Sequence, residues 1–151
     1  MLLGAHGRHL THRGDPPLLT NLNDRGERVL SAHQTRNELL EPARRLRGAI
    51  PDVIGAYAAM ERAAMVDGAL STKVKELIAL AIAATRECDG CVAAHARGAA
   101  RAQATEAEVA EAMGVVVMMN GGPGTVWGTR AAAAHREFSA EETNAAWAAR
   151  R

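Results

Sequence analysis

The spacing of apolar positions predicts helices along most of the chain after residue 36. The clearest segment follows Ser71, a residue suited to cap a helix, where apolar side chains recur at the i, i+3, i+4, i+7, i+8 spacing of one helix face. These positions are Val74, Leu77, Ile78, Ala81 and Ile82. No segment makes a convincing strand, so the pattern predicts an all-α fold.

Capping residues, glycines and prolines mark the ends of the predicted helices. The predicted helices are Glu38–Arg47, Asp52–Val66, a helix capped by Ser71, Cys88–Arg101, a helix opened by the Thr105-x-x-Glu108 capping box, about 125–138, and a short terminal helix opened by Ser139-x-x-Glu142. The breaker cluster from Asn120 to Gly124 separates the fifth helix from the sixth. Because 151 residues suit one domain with a real core, we predict a single helical bundle of about six to seven helices over residues 36–151.

Residues 1 to about 35 differ in character from the rest of the chain. They are rich in glycine and proline and carry four of the six histidines. No helical periodicity runs through them, and the histidines have no cysteine or acidic partner at metal-binding spacing. We therefore expect a poorly ordered N-terminal extension with no metal site.

Composition and charge exclude several classes of function. The chain has a net charge of +1 and only 3% aromatic residues, so nothing favours nucleic acid as a partner. No apolar run approaches the roughly 20 residues that cross a bilayer, and residues 1–10 lack the apolar core of a secretory signal. We therefore expect a cytoplasmic protein with no membrane partner.

The two cysteines form one Cys88-x-x-Cys91 pair. Structural disulfides are rare in the cytosol, so such a pair there is more typical of redox chemistry or metal binding. Residues three apart on a helix have Cα atoms roughly 5 to 6 Å apart, within the disulfide range of about 4.4–6.8 Å. The pair can thus switch between dithiol and disulfide with little backbone movement.

His95 and Glu76 are the candidate proton-transfer residues. His95 follows Cys91 by one helical turn, and helical side chains lean toward the N-terminus, so its imidazole is predicted to lie over the Cys91 sulfur and accept its proton. Glu76 stands at the start of the wholly apolar run 77–84, which is predicted to be buried on every side. A carboxylate in such surroundings suits a general base or proton relay.

An ordinary structural role for Glu76 stays open from the residues alone. It lies in the first turns of its helix, where it could pair with Lys73 or Lys75. The nearby cysteines and His95 favour the functional interpretation.

The combined motif Glu76-x11-Cys88-x2-Cys91-x3-His95 is similar to the signature of the alkylhydroperoxidase D-like proteins in the carboxymuconolactone decarboxylase superfamily. The segments 75–80 and 119–122 also resemble its usual surroundings, and the likeness covers about residues 40–138. One departure is Gly90, where the best-studied peroxidases of the family carry a histidine. Those peroxidases are also longer than this chain.

The resemblance implies a thiol-dependent peroxidase that reduces organic hydroperoxides and needs no cofactor. In such a protein Cys91 is the peroxidatic thiolate, Cys88 resolves the resulting sulfenic acid to a disulfide, and Glu76 with His95 relays the proton. The implied partners are a dithiol reductant such as dihydrolipoamide, a peroxiredoxin in some members, and further copies of the chain in a homotrimer or homohexamer.

Three alternatives remain at this stage. A carboxymuconolactone-type decarboxylase would need an acid/base group and an anion site, and no thiols. A zinc site is disfavoured because Cys88, Cys91 and His95 supply only three ligands on one short helix, so no metal is predicted. A redox sensor or non-enzymatic oligomer, in which the disulfide switches assembly, fits the same motif.

Overall fold

The computed structural model describes residues 31–150, and every regular element within that range is an α-helix. The helices are α1 (Ala32–Ala49), α2 (Pro51–Met65), α3 (Thr72–Thr85), α4 (Asp89–Arg101) and α5 (Glu106–Ala148). The predicted all-α fold is therefore confirmed. Residues 1–30 of the predicted N-terminal extension lie outside the described residues.

Five helical elements lie between residues 31 and 150, slightly fewer than the six to seven predicted, because α5 includes two helical segments that meet at a kink and also the predicted terminal helix. The kink is at Gly121, with φ 61° and ψ −137°, so the predicted boundary at the breaker cluster is confirmed. Ser139 lies inside α5 and caps nothing. Its hydroxyl contacts His135 Nε2 at 3.2 Å and its carbonyl accepts a hydrogen bond from the Thr143 hydroxyl at 2.9 Å.

The start of the helical region is also corrected, from about residue 36 to Ser31. The Ser31 hydroxyl accepts a hydrogen bond from the backbone of Gln34, whose side chain bonds back to Ser31, in a complete capping box. The Glu137 carboxylate on α5 accepts hydrogen bonds from the backbone N–H groups of Ala32 and His33 at 3.1 and 3.3 Å. The first turn of α1 is thereby attached to α5.

Helices α3, α4 and α5 form the core of the bundle. Their facing positions carry small side chains, which allow the helix axes to approach closely. Fully buried examples are Leu80 and Ala84 on α3, Ala96 and Ala99 on α4, and Val109, Ala131 and Phe138 on α5. This packing fixes α3 against α4, where the candidate site residues lie, and α1 packs on the outer side of α4.

The apolar run of α3 is not buried on every side. Ile78 is 46% exposed and Ile82 is 55% exposed, and on α2 Tyr57 and Met60 are exposed by 58% and 62%. The prediction of all-round burial is wrong for this face, because no helix between residues 31 and 150 covers it. None of the helices in that range combines the length and apolar character needed to cross a membrane.

Protonation of the buried His135 is expected to destabilise the fold at mildly acidic pH. Its ring is only 1% exposed, and burial lowers the pKa of His135, with partial opposition from the Ala104 backbone and the Glu106 carboxylate. The unfolded chain takes up this proton near pH 6.5. The free energy of unfolding should therefore be highest above pH 6.5 and fall below it, by at most about 1.4 kcal/mol per pH unit from this group.

Urea unfolding of wild type and His135→Gln at pH 7.5, 6.5 and 5.5 measures this effect. Glutamine keeps a polar partner for Ser139 and cannot take up the proton, so the variant should lose less stability on acidification. Parallel losses in the two proteins would contradict the assignment.

Candidate active site

The cysteine pair lies where α3 turns into α4. Glu87 adopts a left-handed conformation with φ 55°, and the Cys88 N–H donates a hydrogen bond to the Ala83 carbonyl at 3.2 Å. These features turn the chain within three residues and place Cys88 as the N-cap of α4. The tight connection attaches the pair directly to the end of the buried helix α3.

Cys88 and Cys91 are joined by a disulfide, with a Cα–Cα distance of 5.2 Å that matches the spacing predicted for one helical turn. The Cys88 sulfur also accepts a hydrogen bond from the Cys91 backbone N–H at 3.3 Å. Cys91 is exposed whereas Cys88 is half-buried. A substrate in solvent therefore reaches the Cys91 sulfur more readily.

Glu76 and His95 are in direct contact across α3 and α4. Glu76 Oε2 lies 3.0 Å from His95 Nδ1, and the two side chains are 15% and 28% exposed. The lysines that could have paired with Glu76 are engaged elsewhere. Lys73 pairs with Glu108 and Lys75 donates to a backbone carbonyl, so the alternative pairing of Glu76 with these lysines is not found.

The contact determines which imidazole nitrogen is available for chemistry. An ionised carboxylate only accepts hydrogen bonds, so Nδ1 of His95 carries the proton that Glu76 accepts. In the neutral ring Nε2 is then an acceptor, and no residue within the described range hydrogen-bonds to it. Side chains four residues apart on a helix are neighbours at about 6 Å. From one turn after Cys91, His95 can thus accept a thiol proton directly or through one water.

Gly98 is a site residue that sequence analysis missed. A Cβ atom built on Gly98 would overlap the carboxylate atoms of Glu76. Only glycine therefore lets this carboxylate lie flat against α4 and reach His95. The sequence offered one signal for this residue, because a glycine inside a helix lowers helix stability by up to about 1 kcal/mol relative to alanine. Such a glycine therefore suggests a packing requirement.

A cavity of about 400 Å³ adjoins Glu76 between α1 and α4. Glu76 and Gly98 line it from the core side, and Leu39 and Leu40 line it from α1. A Cβ on Gly90 would lie 2.9 Å from Leu39 Cδ1, so a larger side chain here would require the Leu39 side chain to shift.

Across residues 31–150 no group of three or more His, Cys, Asp or Glu side chains is placed to hold a metal ion. The four side chains of the predicted motif interact with each other instead. Cys88 and Cys91 form the disulfide, and Glu76 contacts His95.

Comparisons with known proteins agree on one family. The profile of the carboxymuconolactone decarboxylase family matches residues 51–134, so the chain belongs to this family. Helix α1 lies outside the matched range.

The chain is also similar to two uncharacterised proteins and to one solved structure. It is 40% identical to a protein of Cupriavidus necator over 83 residues, 55% of this chain and 74% of that protein. It is 37% identical to uncharacterised protein 4 in the cox locus of Paracoccus denitrificans over 67 residues, 44% of this chain and 60% of that protein. The crystal structure of an apo carboxymuconolactone decarboxylase family protein from Legionella pneumophila matches with TM-score 0.69 and 33% identity, over 72% of this chain and 96% of that one.

Proposed function

We propose that this protein is a thiol-dependent peroxidase that reduces organic hydroperoxides through a cycle of the Cys88–Cys91 pair. The observation that carries the proposal is the 3.0 Å contact between Glu76 and His95, one helical turn from a cysteine pair that closes a disulfide. A decarboxylase has no use for two adjacent thiols. The contact and the pair together supply a nucleophile, a base and a resolving group.

The catalytic cycle begins with the reduced pair. His95 Nε2 takes the Cys91 thiol proton, and the thiolate attacks the terminal oxygen of the hydroperoxide. The O–O bond breaks, the alcohol leaves with a proton, and Cys91 becomes a sulfenic acid. The Cys88 thiolate then attacks the Cys91 sulfur, which forms the disulfide and releases water. One hydroperoxide and two thiols thus give one alcohol, one water and one disulfide.

In this scheme Glu76 is a positioning residue. Its carboxylate holds the Nδ1 proton, fixes the tautomer with a basic Nε2, and stabilises the imidazolium that forms when the thiol ionises. The half-buried position of the pair strengthens that interaction relative to solvent.

The partners belong to the same proposal. A dithiol such as dihydrolipoamide, used directly or through a peroxiredoxin, would reduce the disulfide by exchange at the exposed Cys91 sulfur. Further copies of the chain would cover the exposed Ile78 and Ile82 face in a homotrimer or homohexamer, since monomers rarely leave so much apolar surface in water. A cytoplasmic location would supply the reductant.

Anaerobic thiol titration tests the peroxidase function directly. The reduced protein is titrated before and after one equivalent of cumene hydroperoxide, and two thiols per chain should be lost with formation of one equivalent of alcohol. The Cys88→Ser/Cys91→Ser double variant supplies the background rate of hydroperoxide loss.

Oxidation no faster than that background would overturn the peroxidase function. A change of assembly on oxidation, without alcohol formation, would instead favour a redox sensor, and size measurement of both redox forms detects it.

A further inference from the structure

The cavity beside Glu76 carries cationic groups that reduction of a peroxide does not require. Three arginines line it, Arg36 from α1 and Arg97 and Arg101 from α4. A hydroperoxide group is neutral and reacts with a thiolate, so these guanidinium groups have no part in the chemistry at sulfur. Their presence points to a second, anionic group on the bound molecule.

The arginines line the cavity from two helices. Arg97 and Arg101 lie in the last turns of α4, and Arg101 Nε is 3.2 Å from Glu142 on α5. Arg36 lies on α1, one turn before Leu39.

Most of the remaining lining is apolar. Leu39 of α1 packs against Gly90, the residue that precedes Cys91, and neither cysteine itself lines the cavity. Leu40 and Ala94 add further apolar lining. Along α4 the lining thus runs from Gly90, next to the redox pair in the chain, to a cationic end at Arg97, about two turns later.

Two of the three arginines are available to a ligand. Arg101 is paired with Glu142, whereas no carboxylate in the described part of the chain pairs with Arg36 or Arg97. Glu76, the acidic residue of the lining, is engaged by His95. Guanidinium groups bind carboxylates through paired, charge-assisted hydrogen bonds, so the cationic end suits a carboxylate.

We propose that this cavity binds the carboxylate of an aliphatic acid at Arg36 and Arg97, with its alkyl chain along Leu39 and Leu40. This inference rests on the proposed function and names its substrate class, the hydroperoxides of fatty acids. Cys91 and Arg97 are six residues apart, which is about 9 Å along the helix axis. An extended chain of about seven or eight bonds spans that distance.

The test compares an anionic substrate with an uncharged analogue of the same chain. Reduced protein is given 9-hydroperoxyoctadecadienoic acid or its methyl ester, which differ only in the anionic group. The acid should have a kcat/KM at least about tenfold higher than the ester, because an ionic hydrogen bond to guanidinium is lost in the ester. In Arg97→Gln and Arg36→Gln the acid-to-ester ratio of kcat/KM should fall toward one.

Arg44→Gln is the matched control, because Arg44 is an exposed arginine of α1 that pairs with Glu41 and does not line the cavity. Its acid-to-ester ratio should equal that of wild type. A wild-type ratio near one, or a ratio that survives both cavity substitutions, would overturn the inference.

A binding measurement separates this inference from the proposed function. If wild type consumes no hydroperoxide at all, the peroxidase function fails, and calorimetric titration of the disulfide form with decanoate still tests the cavity. Binding that is at least about tenfold weaker in Arg97→Gln than in Arg44→Gln supports the carboxylate site. Absent binding, or equal binding in the two variants, overturns it.

Discussion

Serine in place of Cys91 is expected to abolish hydroperoxide reduction, by roughly a thousandfold or more, because the variant lacks the proposed nucleophile and cannot close the disulfide. Cys91 is the exposed member of the pair and lies one turn before His95. The reduced variant should keep its single Cys88 thiol after one equivalent of cumene hydroperoxide. Thiol titration and assay of the alcohol product measure both results.

The opposite substitution, Cys88→Ser, is the informative control. Here Cys91 should still react once, lose its thiol and gain the mass of one oxygen atom, since the attacking sulfur is present and only resolution is blocked. Mass spectrometry of the product distinguishes the two variants. If Cys91→Ser gained the oxygen and Cys88→Ser did not, the roles of the two cysteines would be exchanged.

The substitution Gly98→Ala is expected to slow Cys91 oxidation by about a hundredfold. Loss of a correctly positioned proton acceptor has an effect of this order on the reaction rate. The added Cβ would occupy the space of the Glu76 carboxylate and push it away from His95 Nδ1. The fold should lose little stability, because the atoms that the new Cβ meets are the far end of the flexible Glu76 side chain, which can move aside. Stopped-flow oxidation rates and urea unfolding measure the two effects.

Gly114→Ala is a matched control for this prediction. Gly114 also lies inside a helix, and a Cβ there meets nothing within 4 Å, so alanine should raise the free energy of unfolding by about 0.5–1 kcal/mol. It should leave the oxidation rate unchanged. If Gly98→Ala likewise kept its oxidation rate, the required fit of Glu76 against α4 would be wrong.

Local signals predicted the parts of the fold that depend on local chemistry. The Ser71 cap, the Thr105 capping box and the proline start of α2 all occur as expected, because each depends on residues within one turn. The spacing of Cys88 and Cys91 likewise fixes their separation. The family resemblance added the roles proposed for Glu76 and His95, whose side chains are in contact between two helices.

Features that depend on packing between distant segments were not predictable in this way. The first N–H groups of helix α1 are accepted by Glu137, about a hundred residues away, although the Ser31-x-x-Gln34 capping box was a local signal that sequence analysis missed. The helix α5 continues through Ser139 although the sequence there reads as a cap. For Gly98 the only local signal is the free-energy cost of a glycine inside a helix. The need for glycine comes from the Glu76 side chain on α3.

Helix α1 has a consequence for how substrate preference can diverge among relatives. It lies outside residues 51–134 that match the family, yet it supplies one whole wall of the cavity and occupies the space above Gly90. The cysteine pair, Glu76 and His95 all lie within the matched residues. Under the proposed function, an exchange of α1 between related proteins would therefore transfer ligand preference and leave the chemistry at the cysteines in place.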